Sequence, residues 1–270
     1  MALRYWLIVA AVLTGAAGPV AREAAPGPLR VIGGPAIGGC IAGAERLPDM
    51  GTGYQTIHVS HSNFWGAKPA IAGTMALARS AASAGLPTLL IEDISNPRGG
   101  PMQGGHVSHQ IGLDVDVALD MRPRPPLNAA ARDSIVIASL VRADRRGVEP
   151  SRWLPEVVTL LRLSATLPGV DRVLVNPAIK RQLCEEVTGD RSWLRRIRPW
   201  YGHAAHMHIS FACPADQPEC MPIAAPPPGD GCDASLQWWF DQLDAPPAPP
   251  GPRKPPPVPP AACKAILSGK

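Results

Sequence analysis

From residue 113 to 120 apolar and acidic positions alternate with period two. Leu113, Val115, Val117 and Leu119 fall on one face, and Asp114, Asp116 and Asp120 on the other. The alternation predicts a strand that presents carboxylates to a cleft. Upstream, Ile71, Met75, Ala78 and Ala82 recur at helical spacing over 70–84, and Gly85 with Pro87 supplies the stop. The run Thr88-Leu89-Leu90-Ile91-Glu92 predicts a buried strand, and a Pro/Gly loop at 96–105 leads back to the alternating segment. Further helices are expected over 128–144, 155–166 and 177–187, with a short strand at 172–175 and another continuing through 209–213. The stretch from 22 to about 50 is rich in Gly, Pro and Ala without sustained periodicity, and is expected to be an extended arm tied down by Cys40. Strands and helices mix without a regular βαβ repeat. The fold expected is α+β, with a central antiparallel sheet flanked by helices and long disulfide-stapled loops.

The first 21 residues carry an early Arg4, an apolar run from Tyr5 to about Ala17 and an Ala/Gly-rich exit, the order of a secretory signal peptide. That run is short for a membrane helix, and no later run approaches spanning length. Stable membrane insertion after cleavage is not expected. In an exported chain the six cysteines, Cys40, Cys184, Cys213, Cys220, Cys232 and Cys263, read as disulfides rather than thiolate ligands. Six cysteines allow 15 connectivities. Cys213 and Cys220 make the easiest local bridge, and Cys232 and Cys263 are placed to staple the proline-rich stretch 225–260 back onto the body. The net charge of +4 is mild and its basic residues are scattered. That argues against nucleic acid as a partner and is compatible with a polyanionic wall.

Five of the seven histidines fall in two short windows, His106 and His109 before the alternating strand, and His203, His206 and His208 far downstream. His206 and His208 are two apart on a candidate strand and so share a face. Two histidines and one carboxylate with an open fourth position make the donor set of a catalytic zinc. His58 and His61 have no partner spacing of that kind and read as loop or strand-end residues.

The two histidine windows, 104–116 and 198–208, resemble the penicillin-insensitive murein endopeptidases, part of the group that unites lysostaphin-type peptidases, D-Ala-D-Ala metallopeptidases and the sonic hedgehog domain. Similar matches occur at 175–180, 190–195, 229–232 and 238–240, so the resemblance spans roughly Cys40 to Cys263. It implies a single zinc peptidase domain over 22–270 with a proline-rich C-terminal segment. It also implies Zn2+ bound by His109, Asp116 and His208, with His206 as general base. His106 and His203 would line the site, His106 as a further or alternative ligand, and the two could hold the developing oxyanion. The same resemblance implies the pairs Cys40–Cys263, Cys184–Cys232 and Cys213–Cys220. The activity implied is hydrolysis of D-alanyl–meso-diaminopimelyl cross-links between peptidoglycan stem peptides in the periplasm. With no serine acyl-enzyme, β-lactams should not trap it. A zinc D,D-carboxypeptidase, an L,D-endopeptidase and a non-catalytic zinc-binding wall module stay open, as does the oligomeric state, a homodimer included. Where the family tends to carry Gly-His-Pro, this chain has Gly66-Ala67-Lys68-Pro69, and 143–153 lacks a histidine for a second metal.

Overall fold

The carboxylate-bearing strand lies in the middle of a seven-stranded mixed sheet. The computed structural model describes residues 23–34, 37–102, 106–245 and 258–269. The expected export segment, Gly104, Gly105 and residues 246–257 of the proline-rich stretch lie outside the described residues. In chain order the strands are β1 (Arg30–Gly34), β2 (Gly38–Ala42), β3 (Glu45–Arg46), β4 (Met50–Gly51), β5 (Tyr54–Thr56), β6 (Trp65–Gly66), β7 (Leu89–Ile91), β8 (Asp114–Ala118), β9 (Val170–Val175), β10 (Ile197–Pro199) and β11 (His206–Phe211). The α-helices are α1 (Lys68–Ser83), α2 (Ala129–Ser134), α3 (Pro155–Thr166), α4 (Pro177–Glu186), α5 (Ala234–Asp244) and α6 (Cys263–Ser268).

The large sheet has the order β10-β9-β11-β8-β7-β5-β4. Its centre is antiparallel, β9 with β11, β11 with β8 and β8 with β7, as the α+β expectation requires. Parallel pairs flank that centre, β10 with β9 and β5 with β7. Val115 and Val117 of β8, Met207 and Ile209 of β11, and Val173 and Val175 of β9 meet Leu77 and Ala78 of α1 and Leu160 and Leu161 of α3 in one buried cluster. The opposite faces of β8 and β11 are left for polar side chains, because successive side chains alternate across a strand.

Local chemistry explains the helix starts. Proline stands in the first turn of α1, α3 and α4, where a missing N–H costs nothing. Asn176 Oδ1 accepts from the Ala178 N–H at 3.0 Å to cap α4, and Asp233 Oδ1 accepts from the Ser235 N–H at 2.9 Å to cap α5.

Two expected elements differ. The helix expected over 128–144 ends at Ser134, capped at its start by Asn128. Beyond it Ile135 turns to extended backbone, 136–139 form no regular element, and the Leu140 N–H donates to the Ala204 carbonyl at 2.7 Å. A long-range backbone bond to the histidine loop outweighs weak helix propensity. The arm expected over 22–50 instead contains the β1–β2 hairpin, with Val31, Ile32 and Ile41 buried. Its glycines mask the alternation, yet they are what lets the hairpin close. A Cβ on Gly39 would lie 2.2 Å from the Ile32 carbonyl oxygen.

Of three disulfides, Cys40–Cys263 ties α6 to β2, Cys184–Cys232 ties α4 to the turn before α5, and Cys213–Cys220 closes a short loop after β11. No helix among the described residues is long and apolar enough to cross a membrane.

Candidate metal centre

Strand register brings the two distant windows together. β11 runs antiparallel to β8 with His208 opposite Asp116, Ser210 opposite Asp114 and His206 opposite Ala118. All six therefore face away from the main core, Ala118 packing with Ile57 and Leu90 in a small second cluster. His109 arrives from the loop before β8 and is 1% exposed, as is Asp116.

The donor atoms converge. His109 Nε2 lies 3.0 Å from His208 Nδ1 and 3.2 Å from Asp116 Oδ2, and His208 Nδ1 lies 3.0 Å from Asp116 Oδ1. The remaining ring nitrogens are committed elsewhere. His109 Nδ1 is 2.7 Å from the Ile94 carbonyl oxygen, which can only accept, so the ring hydrogen sits on Nδ1 and the Nε2 lone pair faces inward. His208 Nε2 is 3.1 Å from Asp114 Oδ1, a carboxylate that also accepts from the Ser210 hydroxyl at 2.7 Å, so the His208 lone pair faces inward through Nδ1. Two lone pairs and a carboxylate thus meet in a buried space, an arrangement only a positive charge reconciles.

The electrostatics agree. Burial works against a charged His208, but Asp114 and then Asp116 outweigh it and hold its pKa up at about 10. Burial raises the Asp116 carboxyl, yet the surrounding histidines, His109 foremost, keep it well below the usual carboxylate range. A metal cation bound here takes the place of the proton that these groups otherwise attract.

Three further histidines stand at the mouth. His106 lies between two carboxylates, Nδ1 3.6 Å from Asp116 Oδ2 and Nε2 3.5 Å from Asp93 Oδ2. Ligand atoms of His106, His109 and Asp116 all lie within 4.8 Å of one another, so His106 is close enough to share an ion. His206 Nε2 is 3.7 Å from Asp116 Oδ2, and burial is the main cause that lowers its pKa. His203 is pushed down to about 4, by burial first and then by the neighbouring charges of His208 and His206. Its Nδ1 lies 3.3 Å from the Tyr201 carbonyl oxygen.

Some site residues carry no signal in the sequence pattern. Glu92 and Asp93 follow β7, and backbone bonds from Glu92 N to Asp116 O at 2.9 Å and from Asp116 N to Asp93 O at 2.8 Å set them beside the donors. Glu92 Oε2 lies 3.5 Å from His206 Nδ1, and burial, then Asp116 and Asp93, raises its pKa to about 8. Asp93 Oδ1 accepts from the Asn63 amide at 3.1 Å and lies 3.7 Å from His61 Nδ1, so His61 stands at the rim. His58 instead serves structure, with Nε2 2.9 Å from the Ile135 carbonyl oxygen. Asp120, expected on the carboxylate face, lies past the end of β8 and pairs with Arg122 and Arg124 at 2.7 and 2.8 Å.

An α+β domain in which two central antiparallel strands and the loop before them bring together a His–Asp–His donor set, with further imidazoles at the mouth, has the site of a metallopeptidase. Residues 31–268 match the sequence profile of the penicillin-insensitive murein endopeptidases, and the chain belongs to that family. Proteins of that name from Salmonella paratyphi B (strain ATCC BAA-1250 / SPB7) and Salmonella newport (strain SL254) are each 41% identical to it over 241 residues, 89% of this chain and 87% of theirs.

Proposed function

We propose that the chain is an exported zinc endopeptidase that hydrolyses D-alanyl–meso-diaminopimelyl cross-links of peptidoglycan. Residues 22–270 act as one domain in the periplasm once residues 1–21 are removed. The observation that carries the reading is the pair of inward lone pairs, His109 Nε2 and His208 Nδ1, 3.0 Å apart and flanked by Asp116.

These three residues would hold the zinc, with His106 as a further ligand position. A zinc ion bound there supplies Lewis-acid polarisation of the scissile carbonyl and acidifies a coordinated water. His206, kept neutral by burial, takes the proton from the attacking water and passes it to the leaving amine. Glu92 beside its Nδ1 steadies the ring. His203 is neutral, and with its ring hydrogen directed at the Tyr201 carbonyl its free Nε2 accepts rather than donates. It therefore suits a substrate N–H better than the oxyanion first expected of it.

Zinc-loaded protein incubated with purified cross-linked sacculi is expected to convert muropeptide dimers to monomers by mass analysis. A chelator abolishes the conversion and added zinc restores it. Dimers that vanish without the monomers of D,D cleavage would move the reading to another wall bond, and cleavage that survives chelation would overturn the zinc mechanism.

A further inference from the structure

A group of aromatic rings lies beside the site and plays no part in the chemistry above. Trp200, Tyr201 and Trp238 are 56%, 39% and 52% exposed, among the most exposed large apolar side chains of the described residues. They gather around Trp239, whose ring centroid lies 6.0 Å from that of Trp200, 4.9 Å from Tyr201 and 5.2 Å from Trp238, the last two edge to face. The rings come from two segments held firmly together. The Trp200 N–H donates to the Val175 carbonyl at 2.8 Å, the Tyr201 hydroxyl donates to the Trp239 carbonyl, and Cys184–Cys232 ties α4 to the turn that starts α5. Arg181 of α4 stacks 3.7 Å over Phe240, fixing the buried side of α5.

The shelf adjoins the metal centre through the short segment 201–203. His203 lies 5.6 Å, ring to ring, from His208 and 5.3 Å from His206. Tyr201 is two residues from His203, so their Cα atoms are no more than about 7 Å apart.

We infer that this shelf is a saccharide subsite, on which an N-acetylhexosamine ring of the glycan strand bearing the stem peptide stacks. The inference rests on the murein reading above. A pyranose presents one face of C–H groups and an edge of hydroxyls, so it gains from a broad, open indole face while its hydroxyls stay in water, whereas a closed apolar pocket would strip them. The stem peptide is short, charged and built on alanine, and offers no flat apolar group to match four rings. A chain of four residues spans at most about 14 Å, which bounds how far from the donors a sugar joined to a peptide seated there can lie.

The test compares two substrates of the zinc-loaded enzyme, a cross-linked muropeptide dimer carrying its disaccharides and the same dimer after an amidase has removed them. The wild type is expected to favour the sugar-bearing dimer in kcat/KM, and Trp200→Ala and Trp238→Ala are each expected to cut that preference about tenfold, mainly through KM. Independently of catalysis, titration with N-acetylglucosamine oligomers is expected to shift the tryptophan fluorescence of the wild type, and the double substitution removes the shift. A wild-type preference near one, or a preference and a fluorescence response that both substitutions leave unchanged, overturns the subsite while leaving the peptidase reading intact. Failure of the wild type on both dimers overturns the peptidase reading and this inference with it.

Discussion

A neutral imidazole has two nitrogens and one hydrogen, so the group that captures the hydrogen decides which nitrogen binds a metal. For His109 that group is the Ile94 carbonyl and for His208 it is Asp114. Asp114 is therefore a positioning residue, and partners of this kind set metal affinity. Asp114→Asn is expected to weaken zinc binding roughly 10- to 100-fold in a chelator competition, with the far-UV spectrum unchanged; unaltered affinity would remove Asp114 from the site. His206 makes the opposite prediction. It is partly exposed, desolvation lowers its pKa, and its Nε2 stands 3.7 Å from the Asp116 carboxylate, outside the donor cluster; its replacement by alanine is expected to lower kcat about 10²- to 10⁴-fold while zinc content stays the same. Loss of zinc together with activity would make His206 a ligand rather than a base. The alternation at 113–120 puts Asp114 and Asp116 on one face without choosing between them. The choice comes from β11, where His208 opposite Asp116 and Ser210 opposite Asp114 give the two carboxylates different partners.

At the scale of elements, periodicity served best where a segment answers to its own neighbours. α3 and α4 begin at a proline and stop as their apolar spacing predicts, whereas α2 is cut short because residue 140 bonds to residue 204. The helix α5, carrying Trp238 and Trp239, sits in a stretch whose proline content hid it. One charged side chain joins these pieces. Lys180 of α4 is wholly buried, and its Nζ donates to the Leu194 and Asp230 carbonyls at 2.8 and 2.5 Å. Burial, then the charge of Arg198, pushes its pKa down to about 7. In the unfolded chain the amine keeps its proton up to about pH 10.4. Between these values the unfolded state binds more protons, so this residue makes stability rise with pH from about 7 to 10 and contributes no slope below that window. The urea midpoint of zinc-free protein is expected to show that rise, and Lys180→Met to flatten it. An identical slope in the variant would show that Lys180 keeps its ordinary pKa.

For the whole molecule, the disulfides act on the chain according to the length they close. Cys40–Cys263 closes 223 residues and Cys213–Cys220 only seven. In the chain-entropy picture the long closure is worth roughly 3 kcal/mol more than the short one. Replacing Cys40 and Cys263 by serine is thus expected to lower the unfolding free energy by several kcal/mol, and replacing Cys213 and Cys220 by distinctly less, in paired denaturant titrations. Equal losses would place the effect in native contacts rather than in the unfolded chain. The sequence by itself determined the α+β class, the helices with clean apolar spacing, the histidine windows and the family they resemble, because each of these is written in neighbouring residues. Only the tertiary structure decided that β8 and β11 lie side by side, that Glu92 and Asp93 border the donors, that the glycine-rich arm is a hairpin, and that four aromatic rings from two segments share one shelf. Those features depend on residues up to a hundred positions apart, and the contacts that bring them together are set by the packing of the sheet, which no local pattern records.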